Sequence, residues 1–276
     1  MSLYSCTIGS VPVGTGKLAI IAGPCVAESF DLCLSIAERL AETCESLGIG
    51  FVFKASYDKA NRSSASGYRG PGLELGLEWL ARIRTKLNVP VLTDVHESAQ
   101  VEPVAEAVDC LQIPAFLCRQ TDLLVRAGEA GKPVNIKKGQ FMAPWDMKQA
   151  VEKVRSTGND QVLLTERGSF FGYNRLVTDM RAIPQMQQFA PVVFDATHSV
   201  QEPGGLGGNA SGGQREYAPM LAASAIAAGS DALFIETHPN PEQAKSDAAV
   251  MIPLAQMPAL LARCAAVYQT LRKIET

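Results

Sequence analysis

Residues 18–55 read LAIIAGPCVAESFDLCLSIAERLAETCESLGIGFVFKA. The stretch opens on one apolar run, LAIIAG from Leu18, and closes on another, FVFKA from Phe51. Neither alternates with polar residues, as expected of strands buried on both faces. Between them a helix is expected from about Ser29, a suitable N-cap, to Leu47, with Gly48 as its stop. Cys33, Ile36, Leu40, Cys44 and Leu47 recur at helical spacing and give that helix one apolar stripe. The stretch is therefore a strand and a helix followed by the next strand.

The same alternation continues outward. Further runs are VLTD from Val91, CLQIP from Cys110, VNIKK from Val134, VLLTE from Val162, VVFDAT from Val192 and ALFIET from Ala232. A second helix is expected over about Leu73–Leu87, with Leu73, Leu77, Leu80, Ile83 and Leu87 on one face. A last one covers roughly residues 257–274, with Leu260, Cys264, Val267 and Leu271 inward. Eight strands, most followed by a helix, in 276 residues fit an α/β chain folded as a (β/α)8 TIM barrel. The alternative is a doubly wound open sheet. No GxGxxG follows the first strand, so its dinucleotide-binding form loses support. No linker-like break appears, and residues 1–276 are expected to form a single catalytic domain. The residues before Leu18 are expected to make a short N-terminal hairpin closing the barrel's lower mouth.

Composition excludes several functions. Apolar residues make up 47% of the chain and charged ones 19%, enough for a sizeable core. No run approaches the ~18 apolar residues of a membrane span. The start, MSLYSCTIGSVPVG, lacks a basic region followed by an apolar block. Seven cysteines without a CxxC pair fit a reducing cytoplasm better than a disulfide framework. A net charge of -3 argues against a general nucleic-acid or membrane-surface binder. One segment is of low complexity: residues 201–215, QEPGGLGGNASGGQR, carry six glycines just after the seventh strand. Such a stretch is expected to be mobile and unable to pack by itself. It reads either as a tolerated loop or as a lid, and its place at a strand's C-terminal end favours the lid.

In such barrels the chemistry sits at the C-terminal ends of the strands. The first strand delivers Cys25 and Glu28 there, and the second Lys54, Ser56, Asp58, Lys59, Asn61, Arg62 and Ser63. The third delivers Asp94, His96 and Glu97, the fourth Gln112 and, beyond a short loop, Arg119. Lys137 and Lys138 follow from the fifth, Glu166 and Arg167 from the sixth, Asp195 and His198 from the seventh. Glu236 and His238 come from the eighth, with Asp247 further on. Two patterns stand out. Lys54, Lys59, Arg62, Arg119, Lys137, Lys138 and Arg167 gather cations near one rim of an acidic protein. Each one alone is explained by a neighbouring carboxylate such as Asp94 or Glu166. Seven together favour a polyanionic substrate carrying phosphates and carboxylates. Lys137 and Lys138 are adjacent in a strand, so only one points inward. The second pattern is a ligand set for a divalent transition metal: Cys25, His198, Glu236 and Asp247. No local spacing announces it, a cysteine after a strand is more often a small buried hydrophobe, and His96 and His238 are equally eligible by position.

The segments IAGPC (residues 21–25), FKASYDKANRSS (53–64), LTDVHE (92–97) and QIPAFLCRQTDLL (112–124) resemble the 3-deoxy-D-manno-octulosonate 8-phosphate synthase family. So do NIKKGQF (135–141), LTERG (164–168), FDATHSVQ (194–201) and ETHPNP followed by SDA (236–248). The resemblance runs from about Leu18 to the C-terminus. It implies a (β/α)8 homotetramer that joins phosphoenolpyruvate, D-arabinose 5-phosphate and water in the pathway to lipopolysaccharide. Related synthases that use erythrose 4-phosphate typically carry a KPRTS-like segment where this chain has KANRSS, which favours the pentose. Carried over residue by residue, Lys54, Lys137 and Arg167 would hold phosphoenolpyruvate. Lys59, Asn61, Arg62 and Ser63 would hold the pentose phosphate, with Ser56 counted among the substrate-binding residues. Gln112, Asp94 and His96 would line the pocket floor, and Arg119 would reach into a neighbouring subunit's site. The family divides at the residue after IAGP: members with asparagine need no metal, and members with cysteine bind one. Here it is Cys25, and His198, Glu236 and Asp247 stand at the other three ligand positions. Cys25, Lys137, His198 and Asp247 would then carry the chemistry, with zinc, iron, manganese or cobalt as the ion. The competing readings are the erythrose 4-phosphate synthase, a metal-dependent aldolase of the same fold, and a non-catalytic sugar-phosphate sensor.

Overall fold

The computed structural model describes residues 3–61, 67–206 and 210–275. The chain opens with a hairpin, β1 (Cys6–Ile8) and β2 (Val11–Val13), as the sequence predicts. Strand β3 (Ala19–Gly23) then leads into helix α1 (Phe30–Ser46). Ser29 caps α1, its Oγ accepting from Leu32 N at 3.2 Å, and Cys33, Ile36, Leu40 and Cys44 are buried. Next come β4 (Gly50–Lys54), α2 (Leu73–Leu87), β5 (Val91–Asp94) and α3 (Val101–Ala107). They are followed by β6 (Cys110–Ile113), α4 (Thr121–Glu129), β7 (Val134–Lys137) and α5 (Met147–Arg155). After β8 (Val162–Glu166) a second hairpin intervenes, β9 (Ser169–Gly172) with β10 (Arg175–Val177), then α6 (Ala182–Met186). Strand β11 (Val192–Asp195) precedes a third two-stranded ribbon, β12 (Gln201–Leu206) with β13 (Ala210–Gly213). Helix α7 (Ala218–Ala227), β14 (Ala232–His238), β15 (Ile252–Pro253) and α8 (Met257–Glu275) finish the chain.

Strands β3, β4, β5, β6, β7, β8, β11 and β14 pair in that order, all parallel. β11 pairs with β14 and β14 with β3, so the sheet closes on itself into the (β/α)8 barrel. Two apolar clusters follow from the pleat. Outward residues such as Ile20, Phe53, Leu111, Ile136, Leu164 and Phe194 pack beneath the helices. Inward residues Ala19, Ile21, Val52, Leu92, Cys110, Leu163, Val193, Ala232 and Phe234 join Cys6, Ile8, Val11 and Val13 of the hairpin in the second cluster. The hairpin therefore seals the end where the strands begin. Thr7 N donates to Gln161 Oε1 there at 2.9 Å.

Two positions up each strand, the same inward register turns polar: Lys54, Asp94, Gln112, Lys137, Asp195 and Glu236 are all buried. The apolar base and polar top are thus one periodicity read along the strand. The glycine-rich segment is not wholly irregular. Part of it pairs backbone to backbone as β12 and β13, because a ribbon needs hydrogen-bonding groups rather than large side chains. Residues 207–209 of it lie outside the described residues.

Candidate active site

Strand tips on the open side surround one cavity. Lys54, Lys59, Asn61, Asp94, His96, Gln112, Lys137, Arg167, His198, Glu236 and Asp247 line it. Gln140, Gln201, Phe116, Phe234 and Ser246, which the sequence reading did not single out, line it too. Cys25 is buried at its edge. Ser56 stands behind Asp94, donating its hydroxyl to that carboxylate. Arg119 is exposed and does not line the cavity of its own chain. Arg62 and Ser63 lie outside the described residues.

Close backbone approach sets the first corner. A Cβ on Gly23 would lie 2.0 Å from Lys54 O, so only glycine lets the tips of β3 and β4 meet. Beyond it, Lys54 Nζ donates to Cys25 O at 2.9 Å and to Glu236 Oε1 at 2.7 Å. Cys25 Sγ lies 3.0 Å from Ser246 Oγ and 3.2 Å from Asp247 Oδ2. Asp247 sits in a left-handed backbone conformation, φ 49°, uncommon for a residue with a Cβ. Cys25, Glu236 and Asp247 each offer a ligand atom within 4.8 Å of the others. His198 Nε2 joins from the carboxylate side, 3.4 Å from Asp247 Oδ2 and 3.6 Å from Glu236 Oε2. His198 Nδ1 meets Asp195 Oδ2 at 2.7 Å, which leaves Nε2 free to face the cluster.

These four residues fit a divalent transition metal. Glu236 Oε2 is buried without a hydrogen-bond partner among the described residues. One sulfur, one imidazole nitrogen and two carboxylates form a familiar donor set for such ions. Burial, with Asp247 and Glu236 beside it, pushes the Cys25 thiol well above its usual range. Without a cation the sulfur keeps its proton, and ion binding has to displace it.

The cations are arranged in layers. Lys137 ion-pairs with Asp195, and its Nζ lies 3.3 Å from the Phe234 ring centroid. Burial pushes Lys137 below the usual lysine range, against the pull of Asp195. Arg167 is also lowered by burial, and its Nε is buried without a hydrogen-bond partner among the described residues. Gln140 Oε1 is likewise unpartnered among the described residues. Lys138 points the other way, as the strand alternation requires. It donates to Gly168 O at 3.1 Å and Ser169 Oγ at 3.0 Å, and lies 3.6 Å from Glu166 Oε2. It therefore pins the loop carrying Arg167. The carboxylate explanation holds for Lys54, Lys137 and Lys138, which all have acidic partners. Lys59 faces Glu236, Asp94 and Asp247 across the cavity and, despite burial, is raised above the usual lysine range. His238 falls outside the cluster. Its Nδ1 meets the backbone of Asn240, and its Nε2 lies 3.8 Å from Glu28 Oε1.

A belt of polar side chains holds the floor. Thr165 donates to Asn135 Oδ1, Asn135 to Gln112 Oε1, and Gln112 in turn to Asp94. Burial pushes the Asp94 carboxyl up, but Lys54, Lys59 and His96 outweigh it and hold it well below the usual range. A carboxylate depressed in the fold adds stability above its unfolded pKa, near 3.9, and that stability fades as pH falls below about 4. Asp94→Asn is therefore expected to be less stable than the parent by on the order of 2 kcal/mol at pH 7. Urea midpoints should show this gap narrowing below about pH 4. A gap constant with pH would mean that Asp94 titrates normally.

Fold and mouth together define a (β/α)8-barrel enzyme with a cation-lined site at its C-terminal face. The DAHP synthetase I family matches residues 6–271, and the chain belongs to that family. Among curated relatives, the 2-dehydro-3-deoxyphosphooctonate aldolase of Citrifermentans bemidjiense is 56% identical over 263 residues, 95% of this chain and 96% of that one. The enzyme of the same name from Nitratidesulfovibrio vulgaris is 57% identical over 250 residues, 90% of this chain and 91% of that one. That of Trichlorobacter lovleyi is 54% identical over 268 residues, 96% and 98% respectively.

Proposed function

We propose that this chain condenses phosphoenolpyruvate with D-arabinose 5-phosphate and water. The products are 3-deoxy-D-manno-octulosonate 8-phosphate and inorganic phosphate, on the way to lipopolysaccharide. The observation that carries this reading is the likeness, above half identity over nearly the whole chain, to enzymes named for that octulosonate chemistry. The enol carbon attacks the aldehyde carbon, water adds at the neighbouring carbon, and phosphate leaves with its bridging oxygen. Two phosphates and a carboxylate must lie close together, and their repulsion demands buried cations. Lys54, Lys137 and Arg167 hold phosphoenolpyruvate in this reading, with the unpartnered Arg167 Nε waiting for an acceptor. Lys59, Asn61, Arg62 and Ser63 hold the pentose phosphate, and Asp94, His96 and Gln112 orient its hydroxyls, with Ser56 steadying Asp94. Holding the two reactants in line supplies several kcal/mol of the acceleration, on the order of 7 or more in favourable cases.

Cys25, His198, Glu236 and Asp247 would hold the metal, and zinc, iron, manganese and cobalt all suit that donor set. When bound, such an ion supplies fixed positive charge for an oxygen of the pentose. Asp195 keeps His198 in the tautomer that presents Nε2. We further propose one catalytic domain over residues 1–276 and a homotetramer in which the exposed Arg119 serves a neighbouring subunit's site. A cytoplasmic location fits seven cysteines that are all free and buried. Among the described residues no helix is long and apolar enough to cross a membrane.

The test is phosphate release from phosphoenolpyruvate with each of two aldoses, before and after a strong chelator, with metals then restored. Release should need D-arabinose 5-phosphate, stop on chelation and return with a divalent transition metal. Equal turnover with erythrose 4-phosphate would instead favour the related synthase.

A further inference from the structure

One polar side chain in the cavity touches both of its charged halves. Gln201 opens β12, three residues beyond His198. Its Oε1 accepts from Arg167 Nη2 at 3.1 Å, and its Nε2 donates to Asp247 Oδ1 at 3.0 Å. A guanidinium only donates and a carboxylate only accepts, so the amide has a single workable orientation. Each partner has a second face. Asp247 Oδ2 turns to Cys25 Sγ at 3.2 Å and His198 Nε2 at 3.4 Å. Arg167 keeps Nε buried and, among the described residues, unpartnered, an arrangement that is costly until an acceptor arrives.

The base of the ribbon is built into the same turn. Gln201 pairs with Gly213, and a Cβ added to Gly213 would lie 2.1 Å from Val250 Cγ1. Val250 N donates to Asp247 O at 3.0 Å. Gln201 and Asp247 are thus fixed by one packed unit.

We propose that Gln201 is a positioning residue that couples a cation at Asp247 to an anion at Arg167. This rests on the ligand set and anion site proposed above. An ion held at Asp247 steadies that carboxylate and, through it, the Gln201 amide. The amide then holds Arg167 by Nη2, which leaves Nε facing an incoming anion. By linkage the effect is reciprocal: each ligand tightens the other by the same factor.

The test reads binding, not turnover. The full chain is stripped with a chelator, then titrated with cobalt(II), with inorganic phosphate, and with each in the presence of the other. In the parent, phosphate should raise cobalt affinity on the order of five- to tenfold, and cobalt should raise phosphate affinity equally. Gln201→Met keeps the length of the side chain but neither hydrogen bond. It should still bind cobalt, with coupling reduced to about twofold or less, the part due to direct attraction between ion and anion. Gln201→Asn is one methylene shorter, reaches one partner only, and should lose coupling in the same way. It replaces the methionine variant if that one does not fold. Parental coupling in the folded variant overturns the role of Gln201 and leaves the ligand set standing. A parent that binds neither cobalt nor phosphate overturns the ligand set and this inference together.

Discussion

Cys25→Ala is expected to abolish binding of the proposed divalent ion and lower turnover by roughly a thousandfold. The sulfur is the one soft donor in the proposed set, and alanine leaves a gap that Ser246 and Asp247 cannot fill with charge of the right kind. A metal that stabilises developing charge contributes several kcal/mol, and every 1.4 kcal/mol or so is tenfold in rate. The fold itself should survive, since the change removes one small buried atom, with a cost of about 1 kcal/mol. Metal content by elemental analysis, beside a thermal melt and an initial rate, separates the two effects. A variant with parental metal content and parental turnover would sink the site.

Asp195→Asn is expected to be the second most damaging change, and it strikes stability and metal affinity together. Asp195 is fully buried, ion-pairs with Lys137, and accepts from His198 at both the backbone and Nδ1. His198, Lys137 and Arg167 outweigh the burial that would raise its carboxyl, and hold it well below the usual range. Asparagine leaves the Lys137 charge buried without its counter-charge, a loss of roughly 3 kcal/mol or more. The imidazole also loses the acceptor that sets its tautomer, which weakens metal binding about 10- to 100-fold. Urea midpoints and a metal titration on the same preparation test both halves. If neither moves, Asp195 is a bystander.

The barrel was legible because each strand run is short, apolar and followed by a helical stripe. Ser29 and Gly48 bounded the first helix in the sequence, and they bound it within a residue or two in the structure. The N-terminal hairpin was legible only as a guess from position. Its real signal is four apolar side chains that complete the inner cluster, and that contact is invisible without the fold. The cluster around Cys25 is a sharper case. Its members are 11 to 222 residues apart along the chain, so spacing carried nothing and the family resemblance supplied the set. Asp195 shows what was missed. It appeared among the strand tips, yet its place between Lys137 and His198 depends on β11 lying one strand away from β7 in the sheet, which distance along the chain does not show. Gln201 was hidden for another reason: it opens the glycine-rich segment expected to serve as a mobile lid, where composition says nothing of a paired backbone or of a side chain that bridges two charges.

Cys6, Ile8, Val11 and Val13 stopper the far end of the barrel. Among the described residues, then, the reaction chamber has a single doorway. On the proposed seating, a compound at the buried Lys54 and Lys137 is expected to enter before one near the exposed Asn61. In the reaction proposed above, the order of loading would thus follow from a filled interior, Ile21, Val52, Leu92, Leu163, Val193 and Phe234 with the plug beneath them, well away from any reacting atom.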